Sequence, residues 1–350
     1  MRLRDDFFAE LDSHGLSTDA EQSATSSGRT GESVGMNDED SPITTVSGAR
    51  AAGSHSSELA RAVRRGQLVR LRRGAYADAN SIAKLDGPAN QQLLVRAARI
   101  AARHEPVFSH ESAAALLGIP ILGKWPDRVH TTVDLSGGSS SAAVMRTQRS
   151  LSPDDVITLP DGSQTTSLAR TAVDLAAISS LLSGIVAMSH VRAAGVALAE
   201  LEHTAERIGP ITGIGRVRRA MARSTDGSES VLETLVVTRC QDYGFEPPEQ
   251  QRRVIGVDGL EYRVDFAWLD GRVLGEADGR AKYRDTAYLN GRMPEQVLWD
   301  EKRREDALRP QCDRFFRAIW SDAWSGASLA RRLEAVGVPR TGRRLGALTF

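Results

Sequence analysis

The sequence predicts a multidomain protein of the α+β / α/β class, and three observations carry that expectation. A helical stretch, a glycine, an arginine-rich alternating stretch, a second glycine and another alternating stretch follow one another between Glu58 and Asp78. Helix-forming and strand-forming segments then mix as far as residue 222. Near the C-terminus, RVDFAWLDGRVLGEADGRAKY at residues 263–283 has the alternation of a half-buried strand pair around a central Asp-Gly. With 350 residues and 41% hydrophobic content the chain can build cores for two or three domains. Lys plus Arg equals Asp plus Glu at 45 each, so the distribution of charge must identify partners, since the net charge does not. Cys240 and Cys312 are the only cysteines, too few for a disulfide framework or a thiolate zinc site, and they fit a reducing compartment. The opening MRLRDDFFAELD lacks the apolar centre of a signal peptide, and no uncharged run of ~18 apolar residues follows. A soluble, cytoplasmic protein with no membrane partner is expected.

Residues 1–55 are expected to be disordered, because 13–55 are rich in Ser, Gly, Thr and acids without apolar periodicity and bury too little surface to offset ordering entropy. Residues 56–104 form the next region. Leu59, Ala62 and Val63 give a short helical face that Gly66 ends, Leu68 to Arg72 alternates as a strand, and Gly74 turns the chain into Ala75 and Tyr76. That order is the order of a winged helix-turn-helix. No acid occurs from Leu59 to Tyr76, while Arg61, Arg64, Arg65, Arg70, Arg72 and Arg73 do. Clustered arginine on a short helix and hairpin is a footprint for phosphates, so DNA is the expected partner, with a solvated basic face as the plainer alternative.

Residues 105–222 read as a mixed α/β middle domain. Asp86-Gly87-Pro88 has already opened a helix running to about His104, with Leu93, Leu94, Ala97 and Ile100 on one face. Ser109 is a natural cap for the helix that Gly118 and Pro120 end, and His110 and Glu111 are expected to serve capping or packing. RVHTTVDL reads as a strand, residues 137–141 as a loop, and Thr166 to Asp174 as the start of a long helical region.

Residues 223–340 hold the chemistry. Ser228 can cap a helix that Gly244 stops, and Glu229 and Glu233 lie on one face of it, where either could reach the hairpin. Asp-Gly favours a two-residue type I′ turn, which sets Leu269 against Arg272, Asp265 against Glu276 and Arg263 against Asp278. Val264, Phe266, Trp268 and Val273 then fill the face opposite Asp265 and Glu276. Two carboxylates ~5 Å apart repel by about 3 kcal/mol at an effective dielectric of ~20, and by less than ~1 in water. Either the face is wet, or a divalent cation such as Mg²⁺ (or Mn²⁺) lies between the acids.

Two resemblances follow from these motifs. Residues 228–320 resemble PD-(D/E)XK nucleases of the very-short-patch-repair-like group in SES, RVDFAW, GEADGRAKY and WDEKRREDALR, in that order. The resemblance implies a restriction-endonuclease-like fold, Mg²⁺-dependent phosphodiester hydrolysis, and metal ligation by Asp265, Glu276, Asp278 and the accessory Glu229. It gives Lys282 or Lys302 the task of stabilising developing charge, and Arg303 and Arg304 that of holding DNA. The pattern's lysine two residues after Glu276 is Asp278 here, which favours an alternative: a repressor whose nuclease-like domain is inactive. Residues 56–200 resemble AbiEi-type antitoxins in the basic helix, GQLVRLRRGAYA, HESAAALLGIP and TSLARTAVDLA. That resemblance implies a winged helix repressing a toxin-antitoxin operon, and a cognate toxin as a further partner.

Overall fold

A computed structural model describes residues 43–51, 55–133, 143–278, 294–342 and 345. They divide into two compact units. The N-terminal unit takes the described residues up to Ser179 together with Leu198–Ile214, and the C-terminal unit takes Ser180–Ala197 together with the described residues from Gly215 onward.

The N-terminal unit begins with a small module. Strand β1 (Ile43–Thr45), helices α1 (Val46–Ala51) and α2 (Ser56–Arg64), and strands β2 (Leu68–Arg72) and β3 (Ala75–Asp78) build a three-stranded sheet in the order β1-β3-β2. Both pairings are antiparallel, with Thr45 opposite Ala75 and Arg70 opposite Tyr76. The helix, strand and second strand expected after Glu58 are all present. The expectation of disorder fails for residues 43–51, because Ile43-Thr44-Thr45 finds a full set of partners on β3. Composition reads a segment in isolation, whereas a ladder is supplied by another part of the chain. Residues 1–42 and 52–54 lie outside the described residues.

Short α3 (Ala79–Ile82) leads to α4 (Gly87–Ile100), whose N-terminus is fixed by Asp86 accepting the Ala89 N–H at 2.8 Å. A five-stranded sheet in the order β6-β5-β4-β8-β7 follows from β4 (Val107–Phe108), β5 (Val129–Val133), β6 (Val144–Gln148), β7 (Val156–Thr158) and β8 (Gln164–Thr166). Val95, Ala98, Phe108, Val129 and Val144 form an apolar cluster between α4 and this sheet. Helix α5 (His110–Leu117) ends at Gly118, whose φ of +70° suits a residue without Cβ. Ser109 occupies the cap position as expected, but its hydroxyl pairs with Nδ1 of His110 at 3.0 Å and makes no capping bond. His110 itself has φ +53° and stacks on His130 with ring centroids 3.8 Å apart, so its part is packing. The loop expected at residues 137–141 lies outside the described residues.

Helix α6 (Leu168–Ile178) places Arg170, 1% exposed, between two buried carboxylates. It donates to Asp174 at 3.0 Å and to Asp155 at 3.2 Å, and Arg207 on α8 (Leu198–Ile208) reaches the other oxygen of Asp155 at 2.5 Å. The long helical region expected to start at Thr166 is broken at Ser179. Ser180 caps a new helix, α7 (Leu181–Ala193), by accepting the Ser183 N–H.

In the C-terminal unit, α7, α9 (Ile214–Arg223) and α10 (Val231–Tyr243) accompany a sheet in the order β12-β11-β10-β9, made from β9 (Glu249–Ile255), β10 (Glu261–Trp268), β11 (Val273–Asp278) and β12 (Arg314–Ile319). The first three strands are antiparallel, and β12 runs parallel to β11. Helix α11 (Pro294–Leu308) connects β11 to β12, and α12 (Trp320–Ser325) and α13 (Ala327–Ala335) follow. The β10–β11 turn is as the Asp-Gly pair predicts. Asp270 (φ 54°, ψ 40°) and Gly271 (φ 86°) are its central residues, and the Arg272 N–H bonds to the Leu269 carbonyl. Trp268 faces Val273 and Phe266 faces Gly275, which is the expected register.

The faces differ from expectation. Val264 clusters with Ala267, Leu274 and Leu308, while Phe266, Trp268 and Phe316 form a separate line of ring contacts. Two residues three positions apart in one cluster mean that strict alternation breaks between them. The break lies beside Gln251 on β9, whose φ of +55° is a left-handed kink within the strand. Among the described residues no helix is long and apolar enough to cross a membrane.

Candidate functional site

Two groups of predicted residues can be placed. In the N-terminal module, Arg61, Arg64 and Arg65 fall three and four positions apart on α2 and are exposed. The burial of Leu59 turns them outward. His55 and Glu58 form a capping box that fixes where the helix starts. Arg70 and Arg73 are exposed on the β2–β3 hairpin. Arg72 differs: its guanidinium donates to the carbonyls of Ala98 at 2.7 Å and Ala97 at 3.4 Å, at the C-terminal end of α4. Those carbonyls have no partner further along the helix, so Arg72 has a structural role as its cap. The nearest acids are committed locally. Glu58 is 3.8 Å from Arg61, and Asp78 accepts the Ser81 N–H as the cap of α3.

In the C-terminal unit the predicted metal ligands are Glu229, Asp265, Glu276 and Asp278. The expected register puts Asp265 across from Glu276, but each has its own partner in the protein. The Asp265 carboxylate accepts the backbone N–H of Ala277 at 2.8 Å. Glu276 pairs with Arg304 at 2.7 Å. Glu229 pairs with Arg263 at 2.6 Å, and Asp278 with Arg317 at 3.2 Å. The repulsion that the sequence pattern raises is therefore relieved by an amide and by guanidinium groups. Among the described residues no group of three or more His, Cys, Asp and Glu side chains is placed to hold a metal ion.

Of the predicted basic residues, Lys302 and Arg303 are exposed on α11, and Lys302 lies 6.0 Å over the Trp299 ring. Arg304 points to the sheet as described. Lys282 lies outside the described residues.

Spacing along the helix does not separate Glu233 from Glu229, but burial does. Glu233 is buried and accepts from the Ser230 hydroxyl at 2.7 Å, the Glu229 N–H at 2.9 Å and Gln251 at 2.8 Å. Burial, and then the charge of Asp265, push its carboxyl up to about 7. The signal for it in the sequence is Ser230-x-x-Glu233, the capping-box pattern, although here the helix's third residue accepts the Glu229 N–H and not that of the cap residue Ser230. Of the two glutamates, Glu233 lies inside beside Asp265, and Glu229 is held outside by Arg263.

The family described as transcriptional regulator, AbiEi antitoxin, matches residues 40–77, the stretch containing β1, α1, α2, β2 and all of β3 but its last residue. No curated protein matches the chain.

Proposed function

We propose that this chain is a DNA-binding transcriptional regulator of the antitoxin type, with residues 43–78 acting as a winged helix. In this reading α1 and α2 are the helix pair, α2 presents Arg61, Arg64 and Arg65 to the groove, and the β2–β3 hairpin is the wing that brings Arg70 and Arg73 to the backbone. The observation that carries it is the coincidence of five exposed arginines, in a stretch free of acids, with the segment similar to antitoxin regulators. A cognate toxin is the further partner that this similarity suggests.

Anisotropy titrations of the full chain against duplex DNA at several salt concentrations test the proposal. Arg64→Ala and Arg65→Ala should weaken binding and lower the logarithmic salt slope by about 0.9 for each phosphate no longer engaged. Arg72→Ala should lower the melting temperature instead, through the exposed end of α4. Unchanged affinity and slope in an Arg64→Ala/Arg65→Ala double variant would remove the assignment.

A second reading, metal-dependent phosphodiester hydrolysis by the C-terminal unit, is favoured by one observation, the buried Glu233 beside Asp265. The partners of Glu276, Glu229 and Asp278 weigh against it, and we assign the unit a non-hydrolytic role. Supercoiled plasmid incubated with the protein and Mg²⁺ or Mn²⁺ should stay intact. Nicking that disappears in Glu276→Gln would reinstate the enzyme.

A further inference from the structure

We infer that Glu276 and Asp278 are docking groups that fasten α11 to the sheet through resident guanidinium groups, and that this carboxylate set takes no resident divalent cation. The inference concerns the C-terminal unit alone and does not depend on the DNA-binding role of the N-terminal module.

Arg304 is the centre of the arrangement. From α11 it pairs with the Glu276 carboxylate on β11 at 2.7 Å, and it also donates to the backbone carbonyl of Arg263 on β10. One side chain thus ties the helix to two neighbouring strands. The side chain of Arg263 continues the chain of contacts to Glu229, just before α10, at 2.6 Å. A second bridge lies beside the first. Arg317 on β12 donates to Asp278 on β11 at 3.2 Å and to Glu305 on α11 at 2.9 Å. Glu305 is the residue after Arg304 and also receives Arg309 from the next turn. Adjacent residues of α11 therefore engage alternate acids of β11, one directly and one through β12.

This pattern has a physical reading. Glu276 is only 15% exposed, and a carboxylate at that depth needs a counter-charge. A divalent ion and a guanidinium both satisfy it, and they compete: Arg304 lies 2.7 Å from one of the two Glu276 oxygens, and an ion at that oxygen would have to displace it. A guanidinium also supplies several fixed donors and so joins separate elements. Asp265 has no guanidinium among these bridges and uses the Ala277 amide instead, which leaves its role one of holding β10 against β11.

The test uses the full-length chain and two readouts. Melting temperatures of the parent, Arg304→Gln, Glu276→Gln and the double variant form a cycle. If the two residues dock α11, each single change lowers the midpoint and the double change costs less than the sum. Strictly additive losses would overturn the docking role. Should Arg304→Gln fail to fold, Arg304→Lys should fold and retain most of the parent's midpoint, and a Lys variant no better than Gln would count against the ion pair. Mn²⁺ is then added at one equivalent and its free six-line resonance followed, with and without duplex DNA. The parent should leave the signal as it is in buffer, and Arg304→Gln should take up more ion than the parent. Stoichiometric uptake by the parent that is lost in Asp265→Asn would show a resident cation and sink the inference.

Discussion

The interior of the protein and the margin of the C-terminal sheet handle charge in different ways. In the N-terminal unit Arg170, 1% exposed, lies between Asp155 and Asp174, and Arg207 completes Asp155, so cation and anion meet in the interior. The C-terminal unit does the same where buried Asp242 meets Arg223 at 2.5 Å and Arg239 at 2.9 Å, but it also carries pairs at the margin of its sheet, with Arg304 about one third exposed and Arg263 more than half exposed, while the deep acid Glu233 is held by a hydroxyl, an amide and a backbone N–H. Depth decides what removal of a partner does. An interior charge stripped of its partner cannot be solvated, whereas a marginal one turns to water.

The largest test of this contrast is Arg170→Met. It leaves Asp174 without its cation and Asp155 with Arg207 alone, and should cost about 3–5 kcal/mol, read from urea unfolding with hydrogen exchange followed in α6. A loss below about 1 kcal/mol, the level of an exposed pair, would erase the distinction between interior and marginal pairs.

A pH series sharpens it, because individual buried groups respond in opposite directions. Burial, then His130, Arg170 and Arg149, hold His110 well below its usual value of 6.5. Below about that pH the unfolded chain takes up a proton that the folded one does not, so the His110 contribution is lost on acidification, while Asp174, raised to about 6 chiefly by burial, contributes stability that grows as pH falls through that value. Glu233 has the same sign as Asp174. Its carboxyl is raised from 4.5 to about 7, so the folded form holds more protons across that window. Its contribution is fully present below about 4.5 and is lost as pH rises through 7. Melting of the C-terminal unit should therefore fall from pH 5 to pH 7.5, and Glu233→Gln should flatten that slope. A slope unaltered by the substitution would mean that Glu233 does not set it.

The smallest expected effect is at Arg253, which pairs with Glu261 at 2.6 Å with side chains 75% and 50% exposed. Arg253→Ala should leave the melting temperature within measurement error. A clear drop would show that even marginal pairs in this sheet are coupled to its core.

What was legible in the sequence follows the range of the interactions. The Asp270-Gly271 turn and the β10–β11 register could be read directly, because a two-residue turn with two positive φ values fixes every pairing outward from it. The helix and hairpin after Glu58 were readable for the same local reason, from Gly66 and Gly74 flanking an alternating run. The partners of the acids were not readable. Arg304 and Arg317 come from α11 and β12, and nothing near Glu276 or Asp278 announces which distant cation will meet them. The kink at Gln251 was equally hidden, since a left-handed glutamine inside a strand has no compositional mark, and it is there that the alternation departs from period two. Among the arginines, Arg70, Arg72 and Arg73 look alike in the sequence, and only the position of α4 separates the capping one from its neighbours.

One consequence comes from the path of the chain. It leaves the first unit after Ser179, contributes α7 to the second, and returns as Leu198–Ile214 before leaving for good. A fragment ending at residue 179 would carry the basic module and the five-stranded sheet yet lack α8, and with it Arg207, one of the two cations on Asp155. A fragment starting at residue 215 would lack α7 in turn. Neither unit can be excised with a single cut, and fragments meant to isolate the basic module should be trimmed between α3 and α4 or else extended through residue 214.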